Sequence, residues 1–288
     1  MSKPVRPLWL AAVLLGVLAA CSGGGSGKGT SGDGGSSGSG GSSGGSGGSS
    51  GGSGGSSGGS GSSSGATSSD GGLVTYGSPY TDGQYNLGPV DYTESAFHNA
   101  CAPPTKYDPR VQAVEGSLLA GLWNGIPDVA NYCDACIWVV TGTGASAMLR
   151  VVTYGDTTMD SIDTSQSAYS ILNRNEYPRP MTWQLAECPD TGPILYEFQT
   201  ASSQYWTSLW VRNARVPLAK VEVESPNHAS WTELTRGTDG SLTDASGFGQ
   251  GSFSIRSTGV DGTAVVDMFT WPSAGIAGAF LTGAGNFP

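Results

Sequence analysis

The chain has 288 residues, with 13 lysines and arginines against 23 aspartates and glutamates and a formal net charge of −10. An acidic balance of this size argues against nucleic acid as a partner. With His98 and His228 as its sole histidines, the chain has few nitrogen ligands for a metal, and no residue constellation calls for a metal or a cofactor.

Residues 1–21 place Lys3 and Arg6 ahead of an apolar run at 8–20 that ends Leu18-Ala19-Ala20-Cys21. A basic start, a short apolar core and small residues before a cut make a secretory signal peptide. The run is shorter than the roughly 20 residues that a membrane-spanning helix needs. Leu-Ala-Ala-Cys resembles the bacterial lipobox, which implies cleavage before Cys21 and acylation of that cysteine. Ser22 beside it is similar to lipoproteins sent to an outer membrane. Loss of Lys3 and Arg6 with the leader takes the net charge from −10 to −12.

Residues 22–72 are almost wholly glycine and serine. Such a segment has no apolar surface to bury and is expected to be disordered. As a flexible coil of roughly 50 residues it reaches about 40 Å. Anchor and tether together predict export and display of the remaining chain at a bacterial surface.

From residue 73 onward, short β-rich runs alternate with Gly, Pro, Asn and Asp clusters, the pattern of an all-β protein. Strands are predicted at 73–76, 137–141, 148–153, 182–187, 194–199, 205–211, 219–224, 252–257 and 264–269. The best helix candidate is 111–123, where Ala113, Val114, Leu118, Leu119 and Leu122 are apolar. On the strand at 205–211, alternation puts Trp206, Ser208 and Trp210 on one face and Leu209 and Val211 on the core face. Tyr205 joins the exposed face through a twist or bulge. A row of aromatics on a flat sheet face suits stacking on a polysaccharide.

Apart from Cys21, the cysteines are Cys101, Cys133, Cys136 and Cys188. In an exported domain they favour two disulfides, with three connectivities open. The Cys133-x-x-Cys136 spacing also fits a redox or zinc pair, against which stand export and the shortage of histidine.

The run Ser202-Ser203-Gln204-Tyr205-Trp206, then Val211-Arg212-Asn213, then Pro217-x-x-Lys220 resembles the second domain of the expansins, non-hydrolytic loosening proteins of plant cell walls and their bacterial relatives. Further likenesses follow in the family's order. They are Gly72-Leu73-Val74-Thr75-Tyr76, the segment from Val111 to Trp123-Asn124-Gly125, Cys136 to Gly142, Ile162-Asp163-Thr164-Ser165 with Ala168-Tyr169, and Met181-Thr182-Trp183 with Cys188. The resemblance implies a six-stranded double-psi β-barrel over 73–190 and an immunoglobulin-like β-sandwich over 191–288. It also implies that the CxxC cysteines are structural, and that Arg212 and Lys220 are structural or fringe contacts. The acidic charge departs from the basic character of several bacterial expansins and favours a neutral ligand.

The barrel is related to inverting endoglucanases, which need an acid and a second carboxylate about 6.5–9.5 Å away. Asp163 aligns with their acid. Where their base stands, Tyr76 is followed here by Gly77 and Ser78, neither of which is a general base at neutral pH. The resemblance therefore implies a binding groove, with Asp163 gripping a sugar hydroxyl and Thr75 and Tyr76 on the opposite wall. A further family aspartate falls in strict register on Tyr154; a small shift puts Asp156 there, and Asp156 is the favoured groove residue. In the second domain Tyr205 and Trp206 hold the paired aromatic positions. The third aromatic is missing after Trp231 to Arg236, and Trp210 is expected to replace it.

The function expected is a lipid-anchored, monomeric surface protein that binds neutral polysaccharide (cellulose, β-glucan, xyloglucan or peptidoglycan) and loosens it without hydrolysis. It touches membrane through the lipid alone. A lytic enzyme on the same barrel, either endoglucanase or peptidoglycan transglycosylase, and a pure polysaccharide adhesin are the alternatives.

Overall fold

The computed structural model describes residues 67–69, 72–92, 100–103, 107–155, 157 and 160–288. The leader, Cys21, nearly all of the Gly/Ser segment and Asp156 lie outside the described residues.

Seven strands form the first sheet: β1 (Thr67–Ser69), β2 (Leu73–Leu87), β3 (Leu119–Leu122), β4 (Cys136–Thr141), β5 (Ser146–Tyr154), β6 (Ser161–Thr164) and β7 (Pro180–Ala186). Their order is β1-β2-β6-β3-β5-β4-β7, and pairing of β2 with β7 closes the last six into a barrel. The pairs β2–β6 and β3–β5 are parallel; the other barrel pairs are antiparallel. Alternation drives the closure. In β4, Ile137 and Val139 are buried while Trp138 and Val140 stay partly exposed. The inward set, including Tyr85, Leu122, Ile137, Leu149 and Ile162, fills the barrel.

Two sequence expectations shift here. The strand predicted at 73–76 runs on to Leu87, because Gly77 and Asp82, at φ 71 and 65, are absorbed as register shifts rather than ending it. The helix expected at 111–123 is instead α1 (Pro109–Glu115), capped by Asp108, whose carboxylate accepts from the Arg110 amide at 2.8 Å. Gly116, at φ 76, stops it, and Leu119–Leu122 pairs between two strands as β3. A second short helix, α2 (Gln166–Leu172), is capped by Ser165, whose hydroxyl accepts from Ala168 N at 3.3 Å.

The second half of the chain packs two sheets face to face. One has the order β11 (His228–Glu233), β10 (Leu218–Ser225), β14 (Ser252–Gly259), β15 (Ala264–Thr270). The other has the order β12 (Thr235–Arg236), β13 (Leu242–Asp244), β9 (Thr207–Arg212), β8 (Leu195–Phe198), β16 (Phe280–Thr282). Tyr196, Leu209, Val211, Val221, Phe248, Phe253 and Ile255 fill the space between them. Barrel followed by sandwich is the all-β architecture that the sequence pattern implies.

The disulfides are Cys101–Cys133 and Cys136–Cys188. Cys133 and Cys136 thus go to different partners, so the CxxC is neither a redox nor a zinc pair.

Barrel and sandwich meet through buried charge. Arg212 of β9 donates to Glu197 at 2.9 Å, to Asp134 at 2.5 Å and to the Cys101 carbonyl at 3.2 Å. Arg150 of β5 donates to Asp190 and to the Asp134 carbonyl, at 2.5 and 2.6 Å. The backbone N–H of Asn213 donates to Glu115 at 2.8 Å. The Val-Arg-Asn signature is therefore the fastening between the two halves. A buried guanidinium needs carboxylate partners of this kind to offset its lost hydration.

Candidate functional site

A shallow depression on the barrel surface is lined by Pro89, Val90, Gly121, Leu122, Thr153, Tyr154, Gly155, Thr157 and Asp163. Asp163 sits mid-way along β6, paired with Gly121 of β3 and Asn86 of β2. Gly121 pairs in turn with Thr153 of β5 at a register shift, so a bulge next to the depression turns Thr153 toward Asp163. Two glycines make the room. A Cβ on Gly88 would lie 2.4 Å from the Asp163 Cβ, and one on Gly121 would lie 2.8 Å from Thr153 Cγ2. The helix cap beside the site is supplied by Ser165, which leaves Asp163 as a half-exposed strand residue in the wall of the depression.

Tyr154 closes one end. It follows Thr153 on β5, and its hydroxyl donates to the Thr238 carbonyl of the sandwich. Burial raises its pKa above the ordinary tyrosine value. Tyr154 lines the depression, and the favoured Asp156 lies outside the described residues. Asp163 is the carboxylate of this lining among the described residues.

Thr75 and Tyr76 do not line the depression. Thr75 is buried, and Tyr76 packs among the sandwich core residues around Ile194 and Val216. Burial pushes the Tyr76 phenol up to about 12. Strand parity alone could not separate a groove face from one covered by the sandwich.

On the sandwich, Tyr205 is 73% exposed and Trp206 partly exposed. They sit in a tight turn closed by the pair Ser203 N to Trp206 O at 2.7 Å. Both serines of the motif hold it. Ser202 Oγ donates to Ser208 O at 2.8 Å, and Ser203 Oγ accepts from Tyr205 N at 3.3 Å. Asn227 Nδ2 donates to the carbonyls of Gln204, Ser246 and Gly247. Gly247, at φ 67, lies so close that a Cβ there would fall 2.5 Å from the turn backbone. Such bracing fixes the backbone from which the two rings project.

Trp210 corrects the expectation of a third platform ring. It shares the strand face of Trp206, but from Ser208 onward that face is buried: Ser208 Oγ bonds to Thr243 Oγ1, and Arg212 lies over the Trp210 ring. Trp210 is 1% exposed, and its indole N–H donates to the Asp239 carbonyl at 2.9 Å. It is a joint residue.

No family model matches the chain. Over 138 residues the chain is 27% identical to Expansin-YoaJ of Bacillus subtilis (strain 168), a match spanning 47% of this chain and 58% of that relative's length. The crystal structure of the apo Clavibacter michiganensis expansin superposes with a TM-score of 0.56 at 19% identity, covering 72% of this chain and 96% of the other. The chain is expansin-like. A second structure of the Clavibacter expansin, an aspartate-to-asparagine mutant in complex with cellohexaose, matches with the same coverage and TM-score at 18% identity. At these identities the two structures establish the fold. In this expansin-like chain the candidate site comprises the depression around Asp163 on the barrel and the braced aromatic turn on the sandwich.

Proposed function

We propose that this chain is an exported, surface-anchored protein that binds cellulose-like β-glucan and loosens polysaccharide assemblies without cutting them. The observation that carries the reading is the braced, exposed Tyr205–Trp206 turn. Two fixed rings stack on sugar faces at about 0.5–1.5 kcal/mol each beyond the area they bury. The cellohexaose complex of the Clavibacter expansin supports a β-glucan ligand. Asp163 grips a hydroxyl of the same chain at the cleft, where Tyr154 joins barrel to sandwich.

Hydrolysis with inversion needs a base as well as an acid. The position of that base in the related enzymes is filled here by Gly77 and Ser78, which supports a non-hydrolytic role. Export and the lipid anchor at Cys21 rest on the leader and the Gly/Ser tether.

Retention on crystalline cellulose tests the reading. The intact protein is expected to be retained and the Tyr205→Ala, Trp206→Ala double variant to be released; equal retention of both overturns the platform. Release of reducing ends that depends on Asp163 would replace loosening with a lytic function.

A further inference from the structure

A second aromatic notch lies along the same wall of the barrel, lined by Tyr80, Thr81, Gly83, Trp123, Ile126, Asp160, Ser161 and Trp183. Its position follows from strand parity. Gly121 and Asp163 pair across β3 and β6, so Trp123 and Ser161, two residues further along, fall on the same face of the sheet. The offset is about 7 Å at strand rise. The notch therefore lies along β6 from the Asp163 depression, on the side of β2 and β7, with β3 between it and Tyr154 of β5.

Its rings are held in advance. Tyr80 is 37% exposed and stacks on the buried Trp183 with centroids 4.2 Å apart and planes 4° from parallel. Tyr132 meets Trp183 edge-on at 5.8 Å and locks the stack from the side. Trp123 is partly exposed and lies over Gly125, where a Cβ would fall 2.0 Å from its ring. The exposed Asp160 sits at the rim in a left-handed conformation, φ 58. Its carbonyl accepts from Gln84 N at 3.0 Å, and a Cβ on Gly83 would come within 2.8 Å of that oxygen. Neither the family motifs nor the composition singles out Tyr80 or Asp160.

Flat rings backed on one side, with an acceptor carboxylate at the edge, suit the apolar face and equatorial hydroxyls of a β-linked pyranose. We infer that Tyr80, Trp123 and Asp160 form a further sugar subsite, which takes the units of a neutral β-glucan strand lying beyond Asp163. This deepens the proposed function and rests on it. Continuity argues for the occupant: depression and notch share one outer face and lie two residues apart along β6, so one glucan strand spans both.

The test is calorimetric titration of the full chain with cello-oligosaccharides of increasing length. The Tyr80→Ala and Asp160→Asn variants are each compared with the unsubstituted protein. Asparagine tolerates the left-handed backbone at 160, so that variant keeps its fold even if Tyr80→Ala does not. The longest oligomer is expected to bind each variant up to about tenfold more weakly, and oligomers short enough for the sandwich turn alone to bind unchanged. Equal affinity of variants and unsubstituted protein at every length overturns the subsite and leaves the proposed function standing. Weakening that is the same at all lengths also overturns it. If the unsubstituted protein binds no oligomer of any length, the proposed function falls and the subsite with it.

Discussion

Arg212 of β9 donates from Nη1 to Asp134 Oδ2 at 2.5 Å across the joint between barrel and sandwich, with both side chains buried. The same guanidinium reaches Glu197, and its plane lies over the Tyr107 ring at 4.6 Å. Removing it strands two buried carboxylates. Arg212→Met is expected to cost about 3–5 kcal/mol of unfolding free energy in urea. A loss below about 1 kcal/mol would show that the joint contributes little.

The joint should also respond to pH. Arg150 and Arg212 face Glu115, Asp134, Asp190 and Glu197, so acid outnumbers base there. Burial first, with Glu115 adding to it and Arg212 opposing, pushes the Asp134 carboxyl up to about 7. A carboxyl raised in the folded state contributes stability in full below its unfolded value near 4 and loses it as pH climbs toward 7. Asp134→Asn has no such proton to lose. Its melting temperature should gain on that of the unsubstituted protein between about pH 4 and 7 and then run parallel. A gain in the opposite direction would mean that Arg212 holds the carboxylate ionised.

Trp210 separates packing from ligand contact. Trp210→Ala is expected to cost about 3–5 kcal/mol, the range for deleting a buried aromatic ring. Trp210→Phe keeps the ring but loses the bond to the Asp239 carbonyl, at about 1 kcal/mol. Neither should release the folded protein from cellulose, since Tyr205 and Trp206 hold their turn through other partners. Loss of retention by well-folded Trp210→Phe would restore this ring to the platform.

Gly88 offers a probe of the cleft alone. A Cβ there would sit 2.4 Å from Asp163 Cβ and 2.6 Å from its Cγ, so Gly88→Ala must push the carboxylate aside. Overpacking of this kind costs about 1–3 kcal/mol. Wall extension is expected to fall while cellulose retention persists. Extension that survives the substitution would remove Asp163 from the mechanism.

Much of this was readable beforehand. The alternation from Trp206 to Val211 put Leu209 and Val211 in the sandwich core correctly, since parity is a local property of the chain, but the face expected to be open is buried at Ser208 and Trp210. What parity lacks is the identity of the neighbour. Tyr76 points where the other half of the molecule packs, and Trp210 lies against Arg212 and the Asp239 carbonyl, so both became interior. Gly77, Pro79 and Asp82 read as punctuation, yet they lie inside one long bent strand, because closing a barrel takes bulges. Tyr80 and Asp160 carried no motif. Their juxtaposition arises from β2 crossing β7 and lying beside β6, pairings between residues far apart in sequence.

The segment that leaves β7 for β8 contains Asp190, and Arg150 grips it from the outer face of β5 at 2.5 Å. The crossover is thus bolted at its midpoint, and the next turn is bolted again at Asn213. In the proposed loosening role, a load taken up at Tyr205 would reach Asp163 across a joint pinned at two points, with no free hinge at the crossover.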